Sequence, residues 1–216
     1  VFVAGFGEGV CFVFNGLSFI PIIVAFFAMR LPAKGNEPLR SGSMYNFIRE
    51  GITFAVRTPA IRVLLILISL ISLISTPYTV LMPIFAGEIL RSGPNGMGML
   101  MGAAGCGAVV GALFLARHSN TQKLGRVIAL ALVRFGIGLL LFASSQNFWL
   151  SVAVLPLVGS GFMVPMSAAN TLLQTLAPDH LRGRVMSLFF IMFMGAPPLG
   201  SLVAGVLAPV FGAPIT

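Results

Sequence analysis

Five long stretches without a single charged side chain dominate the sequence, at residues 9–29, 63–87, 92–116, 135–178 and 185–216. A transmembrane helix needs about 20 predominantly apolar residues, so each stretch is long enough to cross a bilayer. The apolar residues follow one another continuously rather than alternating with polar ones. This pattern predicts helices and not the strands of a membrane barrel.

The composition excludes the soluble classes. Hydrophobic residues make up 57% of the 216-residue chain and charged residues 8%, whereas a soluble domain has about 25% charged residues. Disorder is excluded as well, because it requires low hydrophobicity and high charge. The fold class predicted from the sequence is therefore all-α, a polytopic transmembrane helical bundle.

The fourth charge-free stretch is too long for a single span. It contains the polar cluster Ser-Ser-Gln-Asn at residues 144–147, followed by Trp149, an aromatic residue typical of the membrane interface. A turn at this cluster divides the stretch into two helices. The sequence then predicts about six spans, at residues 9–29, 62–87, 95–116, 126–145, 149–175 and 184–208.

Basic residues mark one side of the predicted membrane bundle. Six lie after the first span, three after the third and two after the fifth, eleven of the 13 in the chain. The opposite side has Arg91, together with Glu8 and Glu88. By the positive-inside rule the basic side is cytoplasmic, which predicts a multi-pass protein of the plasma (inner) membrane with lipid on all sides. We interpret the net charge of +8 as a signal that sets the membrane topology, and not as a surface that binds nucleic acid.

The segment 31–60 is predicted to be a cytoplasmic linker. Within it, residues 44–57 place apolar side chains at helical spacing opposite polar ones, which indicates a short amphipathic helix at the membrane surface. Either this helix is a passive interfacial linker, which we favour, or it is a regulatory docking element.

Several segments resemble the major facilitator superfamily of transporters. They are FNGLSF at 14–19, TPAIR at 58–62, LMPIFA at 81–86, NTLLQ at 170–174, PDHLRGRVMS at 178–187 and GAPPLG at 195–200. Their order is most similar to the branch that includes enterobactin exporters and macrolide-efflux proteins. The resemblance implies that the six spans correspond to helices six to eleven of twelve.

On this resemblance, residues 1–30 would hold the end of helix five and helix six of the N-terminal half. Residues 61–216 would form the C-terminal half bundle, helices seven to eleven, with helix twelve missing. The missing N-terminal half of the same chain would then be its principal partner. The implied function is secondary active transport, namely proton-coupled efflux of a small amphipathic molecule, drug-like or siderophore-like, by alternating access.

In this family helices seven and ten border the central cavity, so polar stripes on those spans are candidates for the substrate path. These candidates are Ser72, Thr76, Tyr78, Thr79, Met163, Ser167, Asn170 and Gln174. Alternatively, the hydroxyl groups bond to carbonyls of their own helix. Arg134 is the ionisable residue deepest in a predicted span. It either binds an anionic substrate group or extends its side chain toward the headgroups.

The cytoplasmic loops carry candidate gating motifs, at Gly111, Arg117, Gly125, Arg126, Asp179, Arg182, Gly183 and Arg184. The family's aspartate in the first of these loops is replaced by an apolar residue (Leu115 or Ala116), so the basic residues there could simply mark the membrane edge. Pro197 and Pro198 are expected to kink or break the last span.

The chemistry of an enzyme is not indicated by the sequence. There is no metal-ligand spacing, no paired acid and no Ser/His/Asp set, so we predict no catalytic residue, metal or cofactor. The predicted spans contain no acidic residue, so a proton-coupling carboxylate is expected in the N-terminal half. The alternative function is a channel or a non-transporting membrane scaffold.

Overall fold

The computed structural model describes residues 2–29, 44–117 and 124–216. The chain divides into two compact units between Ser43 and Met44. In the first unit, helix α1 runs over Phe2–Ala28 and passes through Pro21. The linker residues 31–43 lie outside the described residues.

The second unit is helical, and the described residues of the chain contain no strand. Its helices are α2 (Met44–Arg57), α3 (Pro59–Ile84), α4 (Gly93–Arg117), α5 (Leu124–Ser144), α6 (Phe148–Leu176) and α7 (Asp179–Phe211). The all-α prediction is confirmed, and the amphipathic helix α2 has the predicted bounds.

Five helices within the described residues, α3 to α7, are long and apolar enough to cross a membrane. They correspond to the last five of the six predicted spans. The first predicted span lies in α1, where the apolar helical stretch is the shorter segment Phe12–Ala28. The protein is therefore a multi-pass membrane protein with a helical bundle.

The helix boundaries follow from local chemistry. Thr58 is extended between α2 and α3 and is followed by Pro59 at the first helical position, where proline costs nothing because that N–H has no helical partner. At the start of α6, the Asn147 side chain accepts hydrogen bonds from the backbone N–H groups of Trp149, at 2.9 Å, and Leu150, at 3.3 Å. The turn predicted at residues 144–147 is confirmed.

The end of α3 is a π-helical turn over Phe85–Ile89. The Leu90 N–H donates to the Phe85 carbonyl at 2.8 Å, and the Ser92 hydroxyl donates to the Ala86 carbonyl at 3.1 Å. These bonds supply partners for carbonyl groups at the helix end, where the regular helical N–H donors are missing.

Helix α6 is the centre of the bundle. It packs against α4 and α5 over most of its length, while α3 pairs with α7 and both touch α6. Two glycines bring α4 and α6 into backbone contact. A methyl group on Gly107 would overlap the Pro156 carbonyl oxygen, and one on Gly159 would overlap the Ala104 carbonyl oxygen.

Helix α7 continues without a break through Pro197 and Pro198. Of the two expected effects of these prolines, a kink or a break, the break does not occur, and the kink stays a prediction. Membrane helices tolerate internal proline because neighbouring helices and hydroxyl side chains compensate for the lost hydrogen bonds. The Ser201 hydroxyl donates to the Pro197 carbonyl at 3.0 Å; this bond is additional to the two lost at the Phe193 and Met194 carbonyls and does not replace them.

Candidate functional site

A cleft of about 210 Å³ lies between α3, α6 and α7. One wall is the polar stripe of α3, which comprises Ser72, Ser75, Thr76, Tyr78 and Thr79. The other wall is apolar, with Phe162 from α6 and Phe193 and Pro197 from α7. We call this space the α3 cleft. It presents hydroxyl groups on one side and aromatic rings on the other, an arrangement suited to an amphipathic small molecule.

Three hydroxyl groups of the α3 cleft, those of Ser75, Thr76 and Thr79, are anchored to their own helix. Thr76 donates to the Ser72 carbonyl at 2.7 Å, and Thr79 donates to the Thr76 carbonyl at 2.8 Å. The local bonding foreseen as the alternative therefore occurs. A hydroxyl oxygen that donates once still has acceptor capacity, so a donating group in the cleft could bind to it.

Two residues of the stripe have no such anchor to their own helix. Ser72 is 1% exposed, and its hydroxyl oxygen has no hydrogen-bond partner within the described part of the chain. Tyr78 lies between the α3 cleft and a second cavity of about 210 Å³ lined by residues such as Leu81, Phe85 and Phe142. Its ring is therefore a shared wall between two neighbouring spaces.

The predicted stripe on α6 does not line the α3 cleft. Met163, Ser167 and Asn170 are half-buried and Gln174 is exposed. At 3.6 residues per turn they lie roughly 80–140° around the helix from Phe162, which is the α6 residue that faces the cleft. The Gln174 side-chain amide donates to the Asn170 side-chain oxygen. The four residues thus form a separate stripe, and their place on the substrate path stays a prediction.

Arg134 also lies away from the α3 cleft. It faces a crevice of about 330 Å³ between α4, α5 and α6, together with residues such as Cys106, Phe114 and Ser160. The Arg134 Nε atom is buried and has no hydrogen-bond partner among the described residues. Arg134 therefore lines this crevice, and its two predicted roles, binding an anionic substrate group and extending toward the headgroups, both stay predictions.

The candidate gating residues fall into two groups. In the first group, Arg117 ends α4 and Gly125 and Arg126 begin α5, all exposed. Gly111 lies within α4, where a β-carbon would come within 3.1 Å of Ser160 and Val164. Gly111 therefore contributes to helix packing, and a role for this group in gating stays a prediction.

The second group closes the turn between α6 and α7. Arg182 pairs with Asp179 at 2.7 Å and its Nε donates to the Gln174 carbonyl at 3.0 Å. Gly183 is exposed. Arg184 forms an ion pair with Glu50 of α2. These arginines connect helices to one another at the basic end of the bundle.

Sequence reasoning missed the aromatic wall of the α3 cleft. Phe162 and Phe193 come from the consecutive helices α6 and α7 but lie 31 residues apart in the sequence, so no local pattern pairs them. The sequence feature that came nearest to predicting this wall is the position of Phe193 one helical turn before Pro197. In the described residues, no group of three or more His, Cys, Asp or Glu side chains could hold a metal ion.

Comparisons with known proteins agree with this architecture. Residues 1–216 match the model of a family described as transmembrane secretion effector. The chain is also 28% identical over 193 residues to the "Multidrug efflux pump Tap" of Mycolicibacterium fortuitum. The match covers 88% of this chain and 47% of that relative, so the chain spans about half the length of the curated relative it matches. No solved structure matches the chain.

Proposed function

We propose an efflux function for this chain, which belongs to the transmembrane secretion effector family of the major facilitator superfamily. It forms part of a transporter for small amphipathic molecules. The observation that carries this proposal is the α3 cleft, with hydroxyl groups on one wall and Phe162 and Phe193 on the other. A path that alternates polar and apolar surfaces accommodates molecules that have both. The name of the Mycolicibacterium relative, a multidrug efflux pump, supports efflux as the direction of transport.

In this proposal transport occurs by alternating access. A second helical bundle would face the exposed sides of α3 and α6, and the two bundles would rock around the substrate near the middle of the membrane. We assign that bundle to the other half of the same transporter, in keeping with the 47% of the relative that this chain covers. The α6 stripe from Met163 to Gln174 would then line the path from its other side.

Proton coupling is also part of the proposal. The acidic residues of α3 to α7 are Glu88 and Asp179, both at helix ends. A proton relay normally uses carboxylate or imidazole groups within the membrane. We therefore place the proton-binding group in the other half of the transporter, and we place the basic ends of the helices in the cytoplasm.

The test is an efflux assay in cells that produce the complete transporter, with ethidium as the fluorescent probe. Thr76→Val removes the Thr76 hydroxyl from the cleft and nearly preserves the shape of the side chain. Thr175→Val is the matched control, because Thr175 also donates to a carbonyl of its own helix, that of Thr171 at 2.8 Å, but lies outside the cleft and beyond the α6 stripe. We expect a KM increase of about threefold or more for Thr76→Val alone, since a lost polar contact is worth ~1 kcal/mol.

Three further outcomes separate the alternatives. Dissipating the proton gradient with a protonophore should abolish ethidium efflux by the unmodified transporter. Efflux that survives the protonophore would contradict proton coupling. A passive conductance that needs no gradient would contradict the transporter assignment and favour a channel, and unchanged ethidium accumulation in all cells would favour a scaffold or a different substrate class.

A further inference from the structure

The crevice around Arg134 is separate from the α3 cleft. It lies between α4, α5 and α6 and has a volume of about 330 Å³, within the size range of small-molecule sites. Its walls are mostly apolar, with Val110 and Phe114 from α4 and Leu157 from α6. The two spaces share no lining residue. We call this space the Arg134 crevice.

Arg134 carries a permanent positive charge on the middle of helix α5. It is the eleventh residue of the 21-residue helix α5. At 1.5 Å per residue it lies about 15 Å from either end. The guanidinium group does not lose its proton at any physiological pH, so its charge must be compensated by water, by another protein group or by a ligand.

No acidic side chain of the neighbouring helices can provide that compensation. The sequence contains no Asp or Glu between residues 89 and 178, which includes the whole of α4, α5 and α6. The Nε atom of Arg134 is buried without a hydrogen-bond partner in the described ranges. The Ser160 hydroxyl in the same crevice donates to its own helix, to the Pro156 carbonyl at 2.8 Å.

We propose that the Arg134 crevice binds a single-chain amphipathic carboxylate of the fatty-acid type. The carboxylate would accept hydrogen bonds from the planar guanidinium fork, which matches its geometry. The hydrocarbon chain would lie against Val110, Phe114 and Leu157. A single positive charge between apolar walls favours a ligand that has one anionic group and an apolar chain.

The depth of Arg134 favours a single-chain ligand over a phospholipid. A phospholipid phosphate is held at the interface by its glycerol and two acyl chains, about 15 Å from the residue. A single-chain molecule can enter the crevice from the side and bring its charged group deeper. The proposal concerns a second ligand site and does not rest on the transport function assigned to the α3 cleft.

Photolabelling of the full chain in nonionic detergent tests the proposal. The probe is palmitic acid carrying a diazirine in its chain, and the comparison probe is the corresponding primary alcohol. Arg134→Gln removes the charge, with Arg126→Gln on the exposed start of the same helix as its control. Val110→Trp fills the crevice and leaves the charge in place, with Val109→Trp as its control. The side chains of both valines are well exposed, at 65% and 60%, so both variants should fold.

We expect the acid probe to label peptides of α4 and α6 that line the crevice. Labelling should fall about tenfold or more in Arg134→Gln, because a charge-assisted hydrogen bond is lost, and comparably in Val110→Trp. The two control variants should label like the unmodified protein, and the alcohol should label weakly. Unlabelled palmitate should compete for the site.

Three results would overturn the proposal. Equal labelling by acid and alcohol would mean that the charge plays no part. Unchanged acid labelling in Arg134→Gln, or in Val110→Trp if the first variant does not fold, would place the ligand elsewhere. Competition by phosphatidylglycerol as effective as that by palmitate would assign the crevice to phospholipid.

Discussion

Gly51 in α2 lies so close to Arg184 in α7 that a methyl group on the glycine would sit 3.0 Å from the Arg184 β-carbon. The preceding residue, Glu50, forms an ion pair with the same arginine. The Arg184 side chain is 16% exposed and that of Glu50 is 53% exposed. A helix that is not itself a span is therefore fastened by charge and by close packing to the beginning of α7.

Removing this charge pair should loosen α2 without unfolding the bundle. For Glu50→Gln we expect a loss of less than about 1 kcal/mol in stability, because a half-exposed ion pair contributes little. Amide hydrogen exchange within α2 should nevertheless become faster. Glu88→Gln, which alters an exposed carboxylate in the π-helical turn after α3, is the control. Unchanged exchange in α2 would show that packing against α3 and α7 holds the helix without the charge pair.

The contact between α4 and α6 should be intolerant of a single added methyl group. Gly107→Ala would force the alanine β-carbon into the Pro156 carbonyl oxygen, and we expect a loss of about 1–3 kcal/mol from overpacking. Gly102→Ala in the same helix is the matched control, because nothing lies within 4 Å of that position. There the substitution should be neutral or stabilising by up to about 1 kcal/mol.

Thermal unfolding in detergent distinguishes these two glycine variants. The expected result is a clear drop in unfolding temperature for Gly107→Ala and none for Gly102→Ala. If both variants unfold like the parent, the close approach of α4 and α6 is not as tight as described.

The start of α6 should depend on the side chain of Asn147. Asn147→Ala removes the group that accepts from two backbone N–H groups, and losing an N-cap costs about 0.5–2 kcal/mol. Asn147→Asp keeps an acceptor oxygen and should retain most of the stability. Gln146→Ala, at the exposed neighbouring residue, should have little effect. Equal stability of Asn147→Ala and Gln146→Ala in thermal unfolding would contradict this role.

Labelling of two single-cysteine variants can determine the orientation of the chain in the membrane. In a background with Cys11→Ser and Cys106→Ser, Gly125→Cys places a thiol in an open position at the basic start of α5. Gln146→Cys places one at the exposed turn after the other end of that helix. A membrane-impermeant maleimide added to intact cells should label only Gln146→Cys. Labelling of Gly125→Cys alone would invert the proposed topology.

Helix positions could be predicted well from the sequence, because charge and turn chemistry act locally. The polar cluster at residues 144–147 and the Thr58–Pro59 junction each ended a helix where expected. Arg134 was correctly singled out as a charge within a span. Its partner helices could not be deduced, because they depend on how α4 and α6 approach each other at Gly107 and Gly159.

The candidate site was only partly predictable, for a related reason. The α3 stripe follows one helix face, so periodicity alone assembled Ser72, Thr76 and Thr79. Which face of α6 meets that stripe depends on the rotation of a helix packed on several sides. A rotation of α6 by about 100° about its axis, which corresponds to one residue, would exchange Phe162 for Met163 on the face toward the cleft. No sequence pattern determines this rotation.

The central position of α6 has a consequence for biosynthesis. Thirteen residues of α6 are buried, against six in the longer helix α7, and its main neighbours α4 and α5 leave the ribosome before it. The chain can therefore assemble these three helices in the order of translation. Helix α3, by contrast, pairs with α7, the last helix in the described part of the chain. We expect nascent chains arrested after Leu176 to contain a protease-resistant core of α4, α5 and α6, while α3 stays accessible to protease. The α3 cleft would then form only after α7 has been translated.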